Sequence, residues 1–173
     1  ELNSGKVQIE NIDKWETEEL GLKNIKDQVD KFVLSYESHI ELFSYCKSIG
    51  IDYSTTPINK RGVDFVVEQG CQFIKISSMD VNNLELIKYA INKGLPTVIS
   101  LGLASLSEIE AIINIIPNKH KDNITLLHCI SLYPPKDNLI NLNFIKTIKD
   151  IFGVKVGYSD HSLGFSIPLA SIA

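Results

Sequence analysis

Five short clusters of hydroxyl-bearing and ionisable residues recur along this chain. They are Ser54-Thr55-Thr56-Pro57; Lys75 followed by Ser77-Ser78-Met79-Asp80; Ser100-Leu101-Gly102; His128 with Ser131 and Tyr133-Pro134; and Tyr158-Ser159-Asp160-His161-Ser162. Hydroxyls, loop N–H groups and one lysine suit an anion such as phosphate. A histidine beside an aspartate suits metal ligation or proton transfer.

Each cluster follows a short apolar run, and between the runs lie helical patterns. Apolar spacing predicts helices over residues 35–49, 60–69, 83–93 and 139–152, and another from Ser105. Ser105 and Glu108 have capping-box spacing, which favours a plain helix cap for Ser105. The start of one more helix is predicted at Pro168-Leu169-Ala170. Predicted strands cover residues 51–55, 73–76, 97–100, 124–130 and 154–158. Gly50, Gly70, Gly94 and Gly153 stand at four helix ends, and Pro117-Asn118 replaces glycine once. Continuous apolar strands between helices predict a parallel sheet with right-handed crossovers. The pattern does not separate an open doubly wound sheet from a barrel. In either, the reactive groups belong at the carboxyl ends of the strands, where all five clusters fall.

Each residue also has a plainer role to weigh. Thr56 before Pro57 suits a turn. Lys75 sits inside the apolar run Phe73-Ile74-Lys75-Ile76; a buried lysine needs a partner, which favours function. His128 is open between a hydrogen-bonded core histidine, pointing into a packed barrel interior, and a ligand. His161, in a polar loop entry, is the better metal candidate. Asp80 is open between a cap for the helix from Asn83 and a catalytic group. His39 and His120 are assigned to solvent.

The chain has 173 residues and a net charge of −4, with 44% apolar and 22% charged residues. That is a globular composition with a core, without the basic face that nucleic acid requires. No apolar run approaches the ~20 residues of a membrane span. The first five residues have no Met and no signal-peptide pattern, which predicts a cut end and a cytoplasmic protein. Cys46, Cys71 and Cys129 read as free buried thiols. No P-loop, GxGxxG, HExxH or GxSxG motif is present. A complete (β/α)8 barrel takes about 250 residues, so this chain predicts a partial one. Residues 1–34 are polar and weakly periodic, a loop region with a short helix near residues 18–28; residues 35–173 hold the repeated units.

Six stretches together resemble the sialic acid synthase family, N-acetylneuraminate synthase with its legionaminate and pseudaminate relatives. They are Ser54-Thr55-Thr56-Pro57, Phe73-Ile74-Lys75-Ile76-Ser77-Ser78, Asn82-Asn83-Leu84, Ser100-Leu101-Gly102, Leu127-His128-Cys129 with Tyr133-Pro134, and Gly157-Tyr158-Ser159-Asp160-His161-Ser162-Leu163-Gly164. They keep the family's order and intervals from about Leu34 onward. The resemblance implies an α/β fold, a partial (β/α)8 TIM barrel of about five βα units, strands three to seven of the parent barrel. It implies condensation of phosphoenolpyruvate with an N-acetylated amino sugar, with phosphate released, assisted by divalent Mn or Mg. By motif position Lys75, Ser78, Ser100, Ser131 and Ser159 hold phosphoenolpyruvate with Thr56 beside them. Tyr133 and Asp80 meet the sugar, Asp80 also serving as acid or base, and His161 binds the metal. Gln8 and Asn11 loosely resemble a sugar-contacting stretch. A full-length homodimer is implied as well.

The sequence also departs from the family. Ser100-Leu101-Gly102-Leu103 replaces a Ser-Thr-Gly-Met, Asp80 replaces a longer Glu of some members, and Met79 stands where a small residue is common. These changes bear on sugar specificity. The first, second and last strands, with the second metal-ligating histidine, are expected outside this chain. Two other functions stay open on the residues alone: a Schiff-base aldolase with Lys75 as nucleophile, and a non-catalytic barrel piece acting as an assembly module.

Overall fold

The computed structural model describes residues 33–172. The chain divides into two compact units, residues 1–42 and 43–173. Of the first, residues 33–42 are described. They open helix α1 (Tyr36–Ser48), where Ser35 Oγ accepts a hydrogen bond from the Ser38 N–H at 3.1 Å. Asn11, Gln8 and the helix predicted near residues 18–28 lie outside the described residues.

In the second unit, after the end of α1, the order is α2 (Lys60–Glu68), β1 (Ile74–Ile76), α3 (Leu84–Ile91), β2 (Thr97–Ser100), α4 (Leu106–Ile115), β3 (Ile124–Cys129), α5 (Asn143–Phe152), β4 (Lys155–Ser159) and α6 (Ser166–Ser171). Short 3₁₀ turns at Ser78–Asp80, Asn118–Asn123 and Asp137–Leu139 join them. The strands form one parallel sheet in the order β1-β2-β3-β4. Sequence order equals spatial order, so these four strands contain no reversal of the kind that marks a doubly wound sheet.

Strand alternation separates the sheet into two faces. Ile74, Ile76, Ile99, Ile124 and Leu126 are fully buried against Val63, Ile87, Ile91, Ile109, Ile112 and Ile148 of the helices. Each such side chain contributes roughly 1.5–3 kcal/mol by leaving water. The register places Lys75, Val98, Ser100, Thr125, Leu127, Cys129, Gly157 and Ser159 on the opposite face. There Leu127 fills the room beside Gly157, where an added Cβ would meet Leu127 Cδ2 at 2.9 Å.

The helix starts follow their local chemistry. Asn59 caps α2, Asn83 caps α3, and Ser105 with Glu108 forms the expected capping box on α4. Gly50, Gly70, Gly94 and Gly153 all take the positive φ that ends a helix.

Several expectations are corrected. Residues 51–55 join no ladder, so the sheet has four described strands rather than five. A strand needs a paired neighbour, and this segment is tied to the strip before β1 by a side chain instead: Ser54 Oγ donates to the Phe73 carbonyl at 3.3 Å. Ile51 is 59% exposed. Helix α5 starts at Asn143 rather than 139, because Asn141 at φ 46° breaks the helical path. The apolar stripe of α1 buries no residue. His39 and His120, expected in solvent, are half-buried. Among the described residues no helix is long and apolar enough to cross a membrane.

Candidate functional site

Lys75 occupies the middle of β1, so its two isoleucine neighbours face the helices and its own side chain leaves on the other face. Its ammonium donates to Ser100 Oγ, at the end of β2, over 2.7 Å, and weakly to the Ile76 carbonyl at 3.4 Å. Burial lowers its pKa below the ordinary lysine value, and the nearby Cys129 opposes that in part. Among the described residues no carboxylate forms an ion pair with it. A half-buried cation held by a neutral hydroxyl is under-compensated, and an anion is the ligand it favours.

The loops that follow β1, β2 and β3 meet beside this pair. Gly102, just past β2, takes φ +55°. A Cβ there would lie 2.7 Å from Ser78 Cβ and 2.9 Å from Ser131 Oγ. Ser78 follows β1 and Ser131 follows β3, so the bare glycine is what lets the two serines approach. The Gly102 N–H donates to Cys129 Sγ at 3.1 Å. Cys129 is in register with Ser159 on β4. Ser77 is spent on its own turn, accepting from the Met79 N–H at 3.3 Å, whereas Ser78 caps nothing in that turn.

Asp80 ends the 3₁₀ turn. It is not the cap of α3, because Asn83 Oδ1 accepts the Leu86 N–H at 3.1 Å. Burial raises the Asp80 pKa, and the Asn83 side chain opposes this. Thr56 is exposed at the turn before the buried Pro57, and no contact places it against the Lys75 group.

His161 is oriented from two sides. Its Nδ1 hydrogen-bonds the Ile130 carbonyl at 2.7 Å, and the Tyr133 ring stacks on it with centroids 4.1 Å apart. A carbonyl only accepts, so Nδ1 carries the proton and Nε2 is the nitrogen left for a ligand, the arrangement common behind metal-bound histidines. Asp160 is committed elsewhere: its carboxylate accepts from the N–H and hydroxyl of Ser162 at 2.9 and 2.7 Å, which lowers its pKa. Among the described residues no three His, Cys, Asp or Glu side chains converge as a metal site. One preset nitrogen does not hold a divalent ion, so the described residues do not fit a metal by themselves.

His128 is corrected in direction. It lies on the helix side, not the sheet's open face: its Nε2 donates to the buried Ile140 carbonyl at 2.6 Å, and its ring meets Phe144 edge-on. Tyr158, opposite it in register, also points to the helices, and burial with the Asp160 charge pushes its pKa up to about 12. Among the departures from the family pattern, Leu101 is buried in the core and so does not reach the open face, whereas Met79 and Leu103 are exposed at the strand ends. The sequence reading missed what Gly102 and Cys129 do. The signal for Gly102 was a glycine two residues after a strand-end serine.

The arrangement therefore offers one cation, several hydroxyls from neighbouring strand ends and a carboxyl with raised proton affinity. Comparison with known proteins bears on which chemistry this serves. Residues 4–173 match the model of the NeuB family. The N,N'-diacetyllegionaminic acid synthase of Campylobacter jejuni is 37% identical over 84% of this chain and 44% of its own length. The N-acetylneuraminate-9-phosphate synthase of Drosophila melanogaster is 33% identical over 80% of this chain and 37% of its own. Among solved structures, the N-acetylneuraminic acid synthetase of Leptospira borgpetersenii superposes with a TM-score of 0.75 at 34% identity, over 80% of this chain and 48% of that one. The chain thus spans less than half the length of these relatives.

Proposed function

The chain belongs to the NeuB family, and on that premise we propose that its parent protein condenses phosphoenolpyruvate with an N-acetylated amino sugar, releasing phosphate and a nonulosonic acid. The observation that carries this is the Lys75–Ser100 pair beside the Ser78–Gly102–Ser131 approach. Phosphoenolpyruvate bears a phosphate and a carboxylate. Lys75 supplies charge, and Ser78, Ser100, Ser131 and Ser159 supply donors, with Thr56 joining them when the ligand is bound. Tyr133 and Asp80 face the open-chain sugar aldehyde, and Asn11 adds a contact to it. The carbon–carbon bond forms first. Water then adds to C2 of the former enolpyruvate, and phosphate departs by C–O cleavage. Asp80, whose proton affinity burial raises, is the group suited to carry a proton in these steps.

The rest of the reading extends the same premise. The four strands and residues 51–55 make an arc of a (β/α)8 barrel, places three to seven, within a synthase domain over residues 35–173. The parent protein is a cytoplasmic homodimer. A divalent cation, Mn or Mg, bound at His161 needs further ligands from outside residues 33–172.

The test is phosphate release by the full-length protein. Release from phosphoenolpyruvate that requires the amino sugar, and that Lys75→Met abolishes, is expected. Sugar-independent release, or none, overturns the reading. The lowered Lys75 pKa also suits an amine nucleophile. Borohydride trapping of substrate on Lys75, insensitive to chelator, would select a Schiff-base aldolase instead.

A further inference from the structure

We infer that Cys129 is a positioning residue: its sulfur holds the Gly102 turn in the left-handed conformation at which the Ser78 and Ser131 side chains approach each other. The inference rests on the phosphoenolpyruvate reading and names what sets the spacing of that site.

Three observations support it independently. The first is the bond itself, from the Gly102 N–H to Cys129 Sγ at 3.1 Å. The second is where the bond acts. Gly102 is at φ +55°, and the space where its side chain would be is filled by Ser78 Cβ at 2.7 Å and Ser131 Oγ at 2.9 Å. A small rotation of that turn therefore changes the distance between serines that belong to two non-adjacent strands. The third is the burial of the thiol. Cys129 is 1% exposed, on the open face beside Ser159, and close enough to influence Lys75 electrostatically. A thiol so enclosed is not placed to react with reagents from solvent. Its use is as an acceptor and a spacer. Sulfur is a weak acceptor, and it is the hydrogen-bond partner this N–H has in the structure. The neighbouring Leu101 N–H bonds the Leu127 carbonyl at 2.9 Å, so β3 holds the post-β2 turn twice in succession, once through backbone and once through the cysteine.

The experiment measures phosphoenolpyruvate and inorganic phosphate affinity by calorimetry on the full-length protein, with urea unfolding of each variant in parallel. Cys129→Ala removes the acceptor, and Cys129→Ser restores one with shorter reach. Leu126→Ala, on the helix face of the same strand, reports loss of packing alone. Cys129→Ala is expected to weaken phosphoenolpyruvate binding by about tenfold. Cys129→Ser recovers most of it, and Leu126→Ala lowers stability with phosphoenolpyruvate affinity unchanged. If Cys129→Ala binds as wild type, or if Leu126→Ala weakens binding equally, the positioning role is overturned while the functional reading stands. If wild type binds neither ligand, the functional reading fails and takes this one with it.

Discussion

Replacing Gly102 by alanine puts the packing of the site to a quantitative test. Two costs apply. A non-glycine residue held at φ +55° costs about 1 kcal/mol in backbone strain. The added Cβ, at 2.7 Å from Ser78 Cβ and 2.9 Å from Ser131 Oγ, adds roughly 1–3 kcal/mol of overpacking, because neither neighbour is the free end of a long side chain. Gly70→Ala is the matched control: its φ is +78°, and nothing lies within 4 Å of its Cβ, so it carries the first cost alone. Urea unfolding of the two variants and wild type should place Gly70→Ala about 1 kcal/mol below wild type and Gly102→Ala roughly 2–4 kcal/mol below it. Phosphoenolpyruvate affinity should fall only in Gly102→Ala, since only there must two serines move. Equal destabilisation by both substitutions would refute the close approach. Unchanged affinity in Gly102→Ala would refute its connection to ligand binding.

Other outcomes follow from single side chains. Burial lowers the folded-state pKa of Lys75, so the unfolded chain holds that proton more tightly; the lysine costs stability below its folded pKa, and the cost is relieved as pH rises toward 10.5. Lys75→Met should therefore resist denaturant better than wild type at pH 7, with the gain shrinking toward pH 10.5; a gain independent of pH would contradict this. His128→Leu strands the buried Ile140 carbonyl and should cost about 1–3 kcal/mol in unfolding experiments while leaving phosphoenolpyruvate affinity unchanged. Leu101→Thr places a hydroxyl in the helix-side core, so it should lower stability by about 1–3 kcal/mol without altering preference among amino sugars. Kinetics with two acylated amino sugars would check that.

Periodicity carried most of the fold. Isoleucines at positions 74, 76, 99 and 124 went to the core, and Lys75 between two of them went to the opposite face, because alternation leaves no other choice. Ser105 with Glu108 also formed the cap that their spacing predicted. Residues 51–55 misled, since apolar content marks a strand only where a neighbour supplies hydrogen bonds. His128, open between a hydrogen-bonded core histidine and a ligand, is the former, on the helix side rather than in a barrel interior. Beside Leu126-Leu127 it could lie on either face, and the deciding partner, the Ile140 carbonyl, is a backbone group with no sequence signature. The convergence of Ser78, Gly102 and Ser131 was beyond sequence, because it depends on how far each loop turns after its strand. That the serines were candidates at all came from their shared position after apolar runs.

The alternation in β1 leaves little tolerance for error in register. A slip of one residue along β2 would carry Lys75 into the isoleucine layer and turn Ile74 and Ile76 outward. The slipped sheet would then bury an unpaired ammonium and lose roughly 1.5–3 kcal/mol for each displaced isoleucine. In this three-residue strand, the lysine that gives the open face its charge is also the residue that most heavily penalises the wrong alignment. The same ammonium thus serves anion binding and strand register, and a variant that neutralises Lys75 gives up both its charge on the open face and its penalty on the slipped alignment, even where it gains stability.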